Sequence, residues 1–302
     1  SVDAPLWFFW TLQQYAYIND ARKEVWQAYS HIMRNILENF SEGVSNVRMD
    51  SNFLLWQGEE GKALTWMDAI IDGNPVTARK GYAVEINALW YNAVMFYREL
   101  AKLQCEDGEI AKWDEFAENF PTNFKATFWS KEIGYLADYV DGAYKDFSVR
   151  CNMIFAASLE YSPISPKIRQ LIVEKVKQEL LTPRGLRSLS PTHKDYHEIY
   201  FGNQQERDMA YHNGTVWPWL IGAFSEAFLR VYGKESINYI EQIYNEFGNI
   251  LCDYCVGSIA EVYDGNPPYK AGGSISQAWS VAEVCRMKYM IDKCKQFNDS
   301  QL

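Results

Sequence analysis

Positive charge is in short supply in this 302-residue chain: 29 Lys and Arg stand against 39 Asp and Glu, a formal net charge of -10. Nucleic acids and anionic membrane surfaces are gripped through basic patches, so neither is expected as a partner. Long apolar runs are missing too: no stretch approaches the roughly 20 uncharged apolar residues of a membrane-spanning helix. No secretory signal peptide opens the chain. Six cysteines without such a signal suit a reducing compartment, and the cytoplasm is the expected location. Cys252 and Cys255 form a CxxC, yet no second CxxC or His pair stands nearby to complete a zinc site. They read as reduced thiols near a helix end. Nor does the chain contain a GxSxG, Walker loop, HExxH or GxGxxG.

What the chain has in excess is aromatic area, 16% of residues, including 11 Trp and 20 Tyr. Core packing absorbs many such rings, and an aromatic-lined cleft would produce the same excess. The apolar content of 48% is that of an ordinary globular core, and the length allows one large domain or two small ones.

Apolar spacing of three and four residues predicts helices in pairs. Asp3 is placed to cap the first, with Pro5 in its first turn and Leu6, Trp7, Phe9, Trp10, Leu12 and Tyr15 following. Asp20 begins the second, which Gly43 ends. An irregular region covers 45–81. Helices are then expected over 84–103 and 108–128, a strand-like YLADYV within 135–146, and helices over 152–161 and 165–181. A loop-rich section covers 182–213, followed by helices over 214–232, 235–252 and 274–295. Links inside a pair are short and connections after every second helix are long, so the long loops fall on one side. The expected fold class is therefore all-α, an (α/α)6 toroid of helical hairpins forming a single domain over 1–302. An odd helix count suggests a chain that begins partway through the ring.

Each long connection carries polar and aromatic residues. The first holds Leu64 to Ala69 and Arg79, with Glu85, Asn87 and Trp90 on the adjoining helix. A later one holds Arg207, Asp208, Tyr211, His212, Asn213, Trp217 and Trp219, and the last holds Glu261, Asp264, Gln277 and Trp279. Two carboxylates carry the chemistry. Asp68 lies between Trp66, Met67, Ala69 and Ile70, an apolar sequence setting that favours a protonated acid. Glu261 lies beside glycines and polar groups, where it is expected to stay ionised and activate water. One acid with one base is the inventory of glycoside hydrolysis, which needs no metal or nucleotide cofactor. Plainer readings fit the same spacing. Asp68 is also a helix-cap residue type, Glu261 a loop acid, and Trp7, Trp10, Trp90 and Trp217 core residues. His212 has neither a nucleophile motif nor a metal-ligand spacing and reads as a hydrogen-bonding residue.

VDAPLWFFW (2–10), LTWMDA (64–69), VEINALWYNA (84–93), GLRSL (185–189), YHNGTVWPWLIG (211–222), GSIAEVYDGNPP (257–268) and QAWSVAE (277–283) resemble, in order, the amylo-α-1,6-glucosidase domain of the glycogen debranching enzyme family. The resemblance implies an (α/α)6 barrel that hydrolyses α-1,6-linked glucose at trimmed branches of glycogen or limit dextrin, with inversion. It implies Asp68 as general acid and Glu261 as general base, their carboxyl groups about 6.5–9.5 Å apart. Here Ala260 replaces the Ser of the family's GSISE-like motif. Asp3, Trp7, Trp66, Glu85, Asn87, Trp90, His212, Trp217, Gln277 and Trp279 are the implied substrate-binding residues, and a branched α-glucan is the implied partner. The family's upstream Gly-Arg-Asp triplet does not occur, so a fragment short of the ring's first helices is expected. Another inverting α-glucosidase or phosphorolytic enzyme on the same barrel, or a non-catalytic glycan-binding toroid, remain alternatives.

Overall fold

Helices form where apolar residues recur at helical spacing, and they occupy about half of the chain. The computed structural model describes residues 1–299, in two compact units: Ser1–Phe147 with Leu159–Ser165, and Ser148–Ser158 with the chain from Pro166 onward.

In the first unit α1 (Ala4–Ile18) and α2 (Arg22–Glu42) pack on each other and on α3 (Val84–Leu103). Gly43, at φ 99, ends α2 as its conformational freedom allows. Fifteen residues of α3 are buried, so this helix is enclosed on every side. After the short α4 (Asp107–Ala111), α5 (Asp114–Phe128) presents Phe116, Phe120, Phe124 and Phe128 at four-residue spacing, all buried. Trp90 of α3 meets Trp113 and Phe116, each with ring centroids 5.7 Å apart.

The connections are where the all-α expectation needs correction. Among the described residues fourteen short strands form five small antiparallel sheets. Connections rich in Gly, Asn and Asp turns still have backbone N–H and C=O groups to pair, and two- and three-residue ladders meet that need. The first unit holds β1 (Val47–Met49) with β2 (Leu55–Gln57), and β3 (Ile70–Ile71) with β4 (Asn74–Pro75). It also holds β5 (Tyr82–Ala83), β6 (Trp129–Ser130), β7 (Tyr135–Leu136), β8 (Tyr139–Asp141) and β9 (Tyr144–Asp146), so the strand-like stretch expected over 135–146 is strand.

In the second unit α6 (Ile154–Ser158) and α7 (Pro166–Glu179) pack on each other and on α9 (Leu220–Tyr232). Sheet strands β10 (Leu181–Thr182), β11 (Gly185–Arg187), β12 (Val216–Trp217), β13 (Val262–Tyr263) and β14 (Ala271–Gly272) lie side by side in that order. GLRSL, GTVWPW and IAEVY, far apart in sequence, thereby become neighbours: Leu186 pairs with Trp217, and Val216 with Tyr263. This pairing corrects the expected helix start at 214, since Val216 and Trp217 are committed to the sheet. A helix the spacing did not suggest, α8 (Gln204–Tyr211), falls inside the expected loop 182–213. Its signal is a capping box, in which Asn203 accepts from the Glu206 amide and Glu206 accepts from the Asn203 amide. Chain order closes with α10 (Ile237–Gly248) and α11 (Ala278–Asp299), which pack together. Among the described residues no helix is long and apolar enough to cross a membrane.

Candidate active site

Glu261 stands immediately before β13, and its position is set from both sides. Its amide donates to the Ser274 carbonyl at 3.0 Å, and the Ser274 amide donates back to Glu261 Oε2 at 2.8 Å. Glu261 Oε1 accepts from the Tyr211 hydroxyl at 2.6 Å and from Gln277 Nε2 at 3.2 Å. Every one of these partners is a neutral donor, the set that an acceptor-only carboxylate requires. Gly273 is needed beside it: its φ is +70, and a Cβ there would run into Glu261 Oε2. The half-buried Glu261 is thus no freely solvated loop acid.

Tyr211, at the end of α8, is itself enclosed. Its ring lies 4.7 Å from both His212 and Trp217 and 5.6 Å from Tyr200, and its carbonyl accepts the Trp217 indole N–H at 2.9 Å. Trp217 and His212 stack in parallel at 5.5 Å, both fully buried. Buried Arg150 braces the turn behind them, donating to the His212 carbonyl at 2.6 Å and to Asn213 Oδ1 at 2.9 Å. Trp279 stacks on Trp219 at 5.2 Å. The backbone of Tyr200 donates to Asp264 at 2.7 Å, and burial pushes the Asp264 carboxyl above its ordinary value. Burial, and after it the Glu261 charge, push the Tyr200 hydroxyl above its ordinary value against the pull of Arg207.

Asp68 lies in the first unit, in the loop leading into the β3–β4 hairpin, and no helix begins there, which removes the helix-cap reading. Trp66, Met67 and Ala69 are buried while Asp68 is exposed. This corrects the apolar setting inferred from its neighbours: in a non-helical segment, adjacent side chains turn to different sides, so sequence proximity is not enclosure. The loop is fastened by the Val2 amide on the Leu64 carbonyl at 2.8 Å and the Val76 amide on the Ala69 carbonyl at 2.9 Å. Arg79 reaches Thr65 Oγ1 at 3.3 Å.

Arg79 centres a buried ionic cluster. It forms a two-pronged pair with Glu85, Nη2 to Oε2 at 2.5 Å, and binds Asp138 through Nε at 2.6 Å; all three side chains are at most 2% exposed. Burial and the second carboxylate push the Glu85 carboxyl up, against the pull of Arg79. Three of the expected substrate-binding residues are engaged within the protein. Glu85 is occupied by Arg79. Asn87 clamps Leu55 through both backbone atoms, at 2.7 and 3.1 Å. Trp90 is a core ring whose indole N–H donates to the Phe53 carbonyl at 3.3 Å. Asp3 is buried at the start of α1, where its carboxylate accepts the Ser1 hydroxyl. Trp66 is buried, and Trp7, Gln277 and Trp279 are part-exposed.

A Ser148–His193–Asp195 arrangement has the residue types of a nucleophilic triad, with Ser148 Oγ 3.1 Å from His193 Nε2. Yet the Asp195 amide donates to His193 Nδ1 at 3.2 Å while the Asp195 carboxylate stands 3.8 Å from that nitrogen, unlike the carboxylate that orients the imidazole of a triad. Among the described residues no group of three His, Cys, Asp or Glu is placed to hold a metal ion.

The fold is shared with solved glycoside hydrolases. The neutral trehalase of Saccharomyces cerevisiae aligns over 70% of this chain and 40% of its own, with a TM-score of 0.53 and 17% identity. The GH63 mannosylglycerate hydrolase of Thermus thermophilus aligns over 69% of this chain and 46% of its own, with a TM-score of 0.51 and 15% identity. Within that class the chain belongs to the amylo-alpha-1,6-glucosidase family, whose model matches residues 1–286. The glycogen debranching enzyme of Saccharomyces cerevisiae is 26% identical over 227 residues, 62% of this chain and 15% of that protein. The chain thus spans less than half the length of each of these relatives.

Proposed function

We propose that the chain carries the catalytic apparatus of an inverting amylo-α-1,6-glucosidase, acting in the cytoplasm on branch-point glucose of glycogen or limit dextrin. Both units belong to one glucosidase domain in this reading. Asp68 protonates the leaving glycosidic oxygen as the bond to the anomeric carbon breaks. Glu261 takes a proton from water, and the water oxygen bonds to that carbon. The observation that carries the reading is the Glu261 cradle: a motif carboxylate held by three neutral donors, with no ion pair among the described residues. A neutral glucan suits a chain whose net charge is -10. Trp7, Trp66, Gln277 and Trp279 are the side chains proposed to contact it.

Asp68→Asn and Glu261→Gln test the assignment on a branched limit dextrin. Each is expected to lower glucose release by about 10²–10⁴-fold with an unchanged circular dichroism spectrum, and the wild type to release β-glucose first, read by proton NMR. Near-normal turnover by either variant removes that residue from the mechanism. The likeness in fold to other glycosidases favours a second reading, an α-glucosidase of different linkage preference or a phosphorolytic enzyme. Comparing α-1,4- with α-1,6-linked substrates, with and without phosphate, separates them. Retention on glycogen without glucose release would instead indicate a binding module.

A further inference from the structure

The Glu261 carboxylate has two oxygens in different surroundings. Oε1 accepts two hydrogen bonds, from Tyr211 and Gln277, and so uses both of its lone pairs. Gln277 cannot easily turn its amide over, because its own Oε1 accepts the Ala278 amide at 3.0 Å. Among the described residues Oε2 accepts only the Ser274 amide, and the residue beside it is Gly273, where a Cβ would run into that oxygen. The Tyr211 ring is fixed by Tyr200, His212 and Trp217, so its hydroxyl is delivered to Oε1 by a packed aromatic group.

We infer that Tyr211 is a positioning residue for the base: with Gln277 it saturates Oε1, so that the proton leaving water goes to Oε2. This rests on the proposed role of Glu261. In the step, the water O–H bond breaks toward Oε2 and the water oxygen bonds to the anomeric carbon. The glycosidic C–O bond breaks, and the leaving oxygen takes the Asp68 proton. The other charged or titratable groups around the pair are Tyr200 and, around it, Arg207 and Asp208; His212 against the Tyr211 ring; and Asp264 and Lys270 on the hairpin after β13.

The test is Tyr211→Phe in the full chain, read in two ways. The Glu261 carboxyl resonance in protein carrying carboxyl-¹³C glutamate, assigned by its loss in Glu261→Gln, gives the titration midpoint directly. Loss of one donated hydrogen bond is expected to raise it. The acid limb of the kcat–pH profile for glucose release is expected to rise with it, while near-UV dichroism stays native. An unmoved carboxyl midpoint overturns the inference, whatever the activity. A moved midpoint with an unmoved rate profile overturns Glu261 as the base and leaves the Tyr211 bond standing. Gly273→Ala tests the choice of oxygen: kcat is expected to fall at least tenfold with little change in KM, and a retained kcat overturns Oε2 as the proton acceptor.

Discussion

Two carboxylate sites sit in the two units and are built on opposite plans. Around Arg79, charge meets charge: Glu85 and Asp138 share one guanidinium, fully out of water. Around Glu261 no ion pair forms among the described residues, and a hydroxyl, a side-chain amide and a backbone amide do the holding. A carboxylate locked to a buried cation has lost both its accessibility and its freedom to exchange a proton. One held by neutral donors keeps both. The first plan serves architecture, fastening Thr65, α3 and the residue before β8 to one side chain, while the second, in the proposed role, leaves an oxygen for reaction.

The contrast can be broken at its strongest point by Arg79→Met, which leaves two buried carboxylates without a cation. A loss of about 3–5 kcal/mol in unfolding free energy is expected by chemical denaturation. Adding Glu85→Gln and Asp138→Asn is expected to recover a large part of it. A loss below about 1 kcal/mol would place the cluster in water-like surroundings and erase the distinction. Gln277→Met removes one neutral donor from the other site. About 1 kcal/mol of stability is expected to go, with a larger relative loss in kcat. A smaller effect again concerns Glu226, a third kind of carboxylate. Burial pushes its carboxyl up, but Arg286 and Arg230 outweigh that and hold it below the ordinary 4.5. A group depressed in the folded state contributes stability that is complete above its unfolded value and fades as pH falls through the folded one. Melting temperatures measured below pH 4.5 are therefore expected to fall less steeply in Glu226→Gln than in the wild type. Parallel slopes would show that Glu226 is not the group responsible.

Helices were legible because packing writes a local period into sequence. The Phe116, Phe120, Phe124 and Phe128 stripe and the Gly43 stop are read within a few residues. The sheet that brings GLRSL beside GTVWPW and IAEVY was not legible, because its strands are two or three residues long and the pairings of β11 with β12 and β12 with β13 span tens of residues. Glu261 was found from its motif, but its partners Tyr211 and Ser274 depend on that long-range pairing. The exposure of Asp68 between buried neighbours shows the same limit, since direction off the backbone is not written in the order of residues. The bonds of residues such as Asn87 and Trp90 were not legible for a related reason. Polar and aromatic types serve equally to line a site or to close a core, and only their bonds tell which.

The reciprocal link between Glu261 and Ser274 has a consequence for timing. A free glutamate side chain samples many rotamers, and freezing it costs about 1.5–2 kcal/mol. Here the same residue that pairs with the Glu261 backbone also grips its carboxylate, so that disorder is already gone once β13 and β14 have come together. In the proposed role, an arriving sugar would meet a group that has no searching left to do.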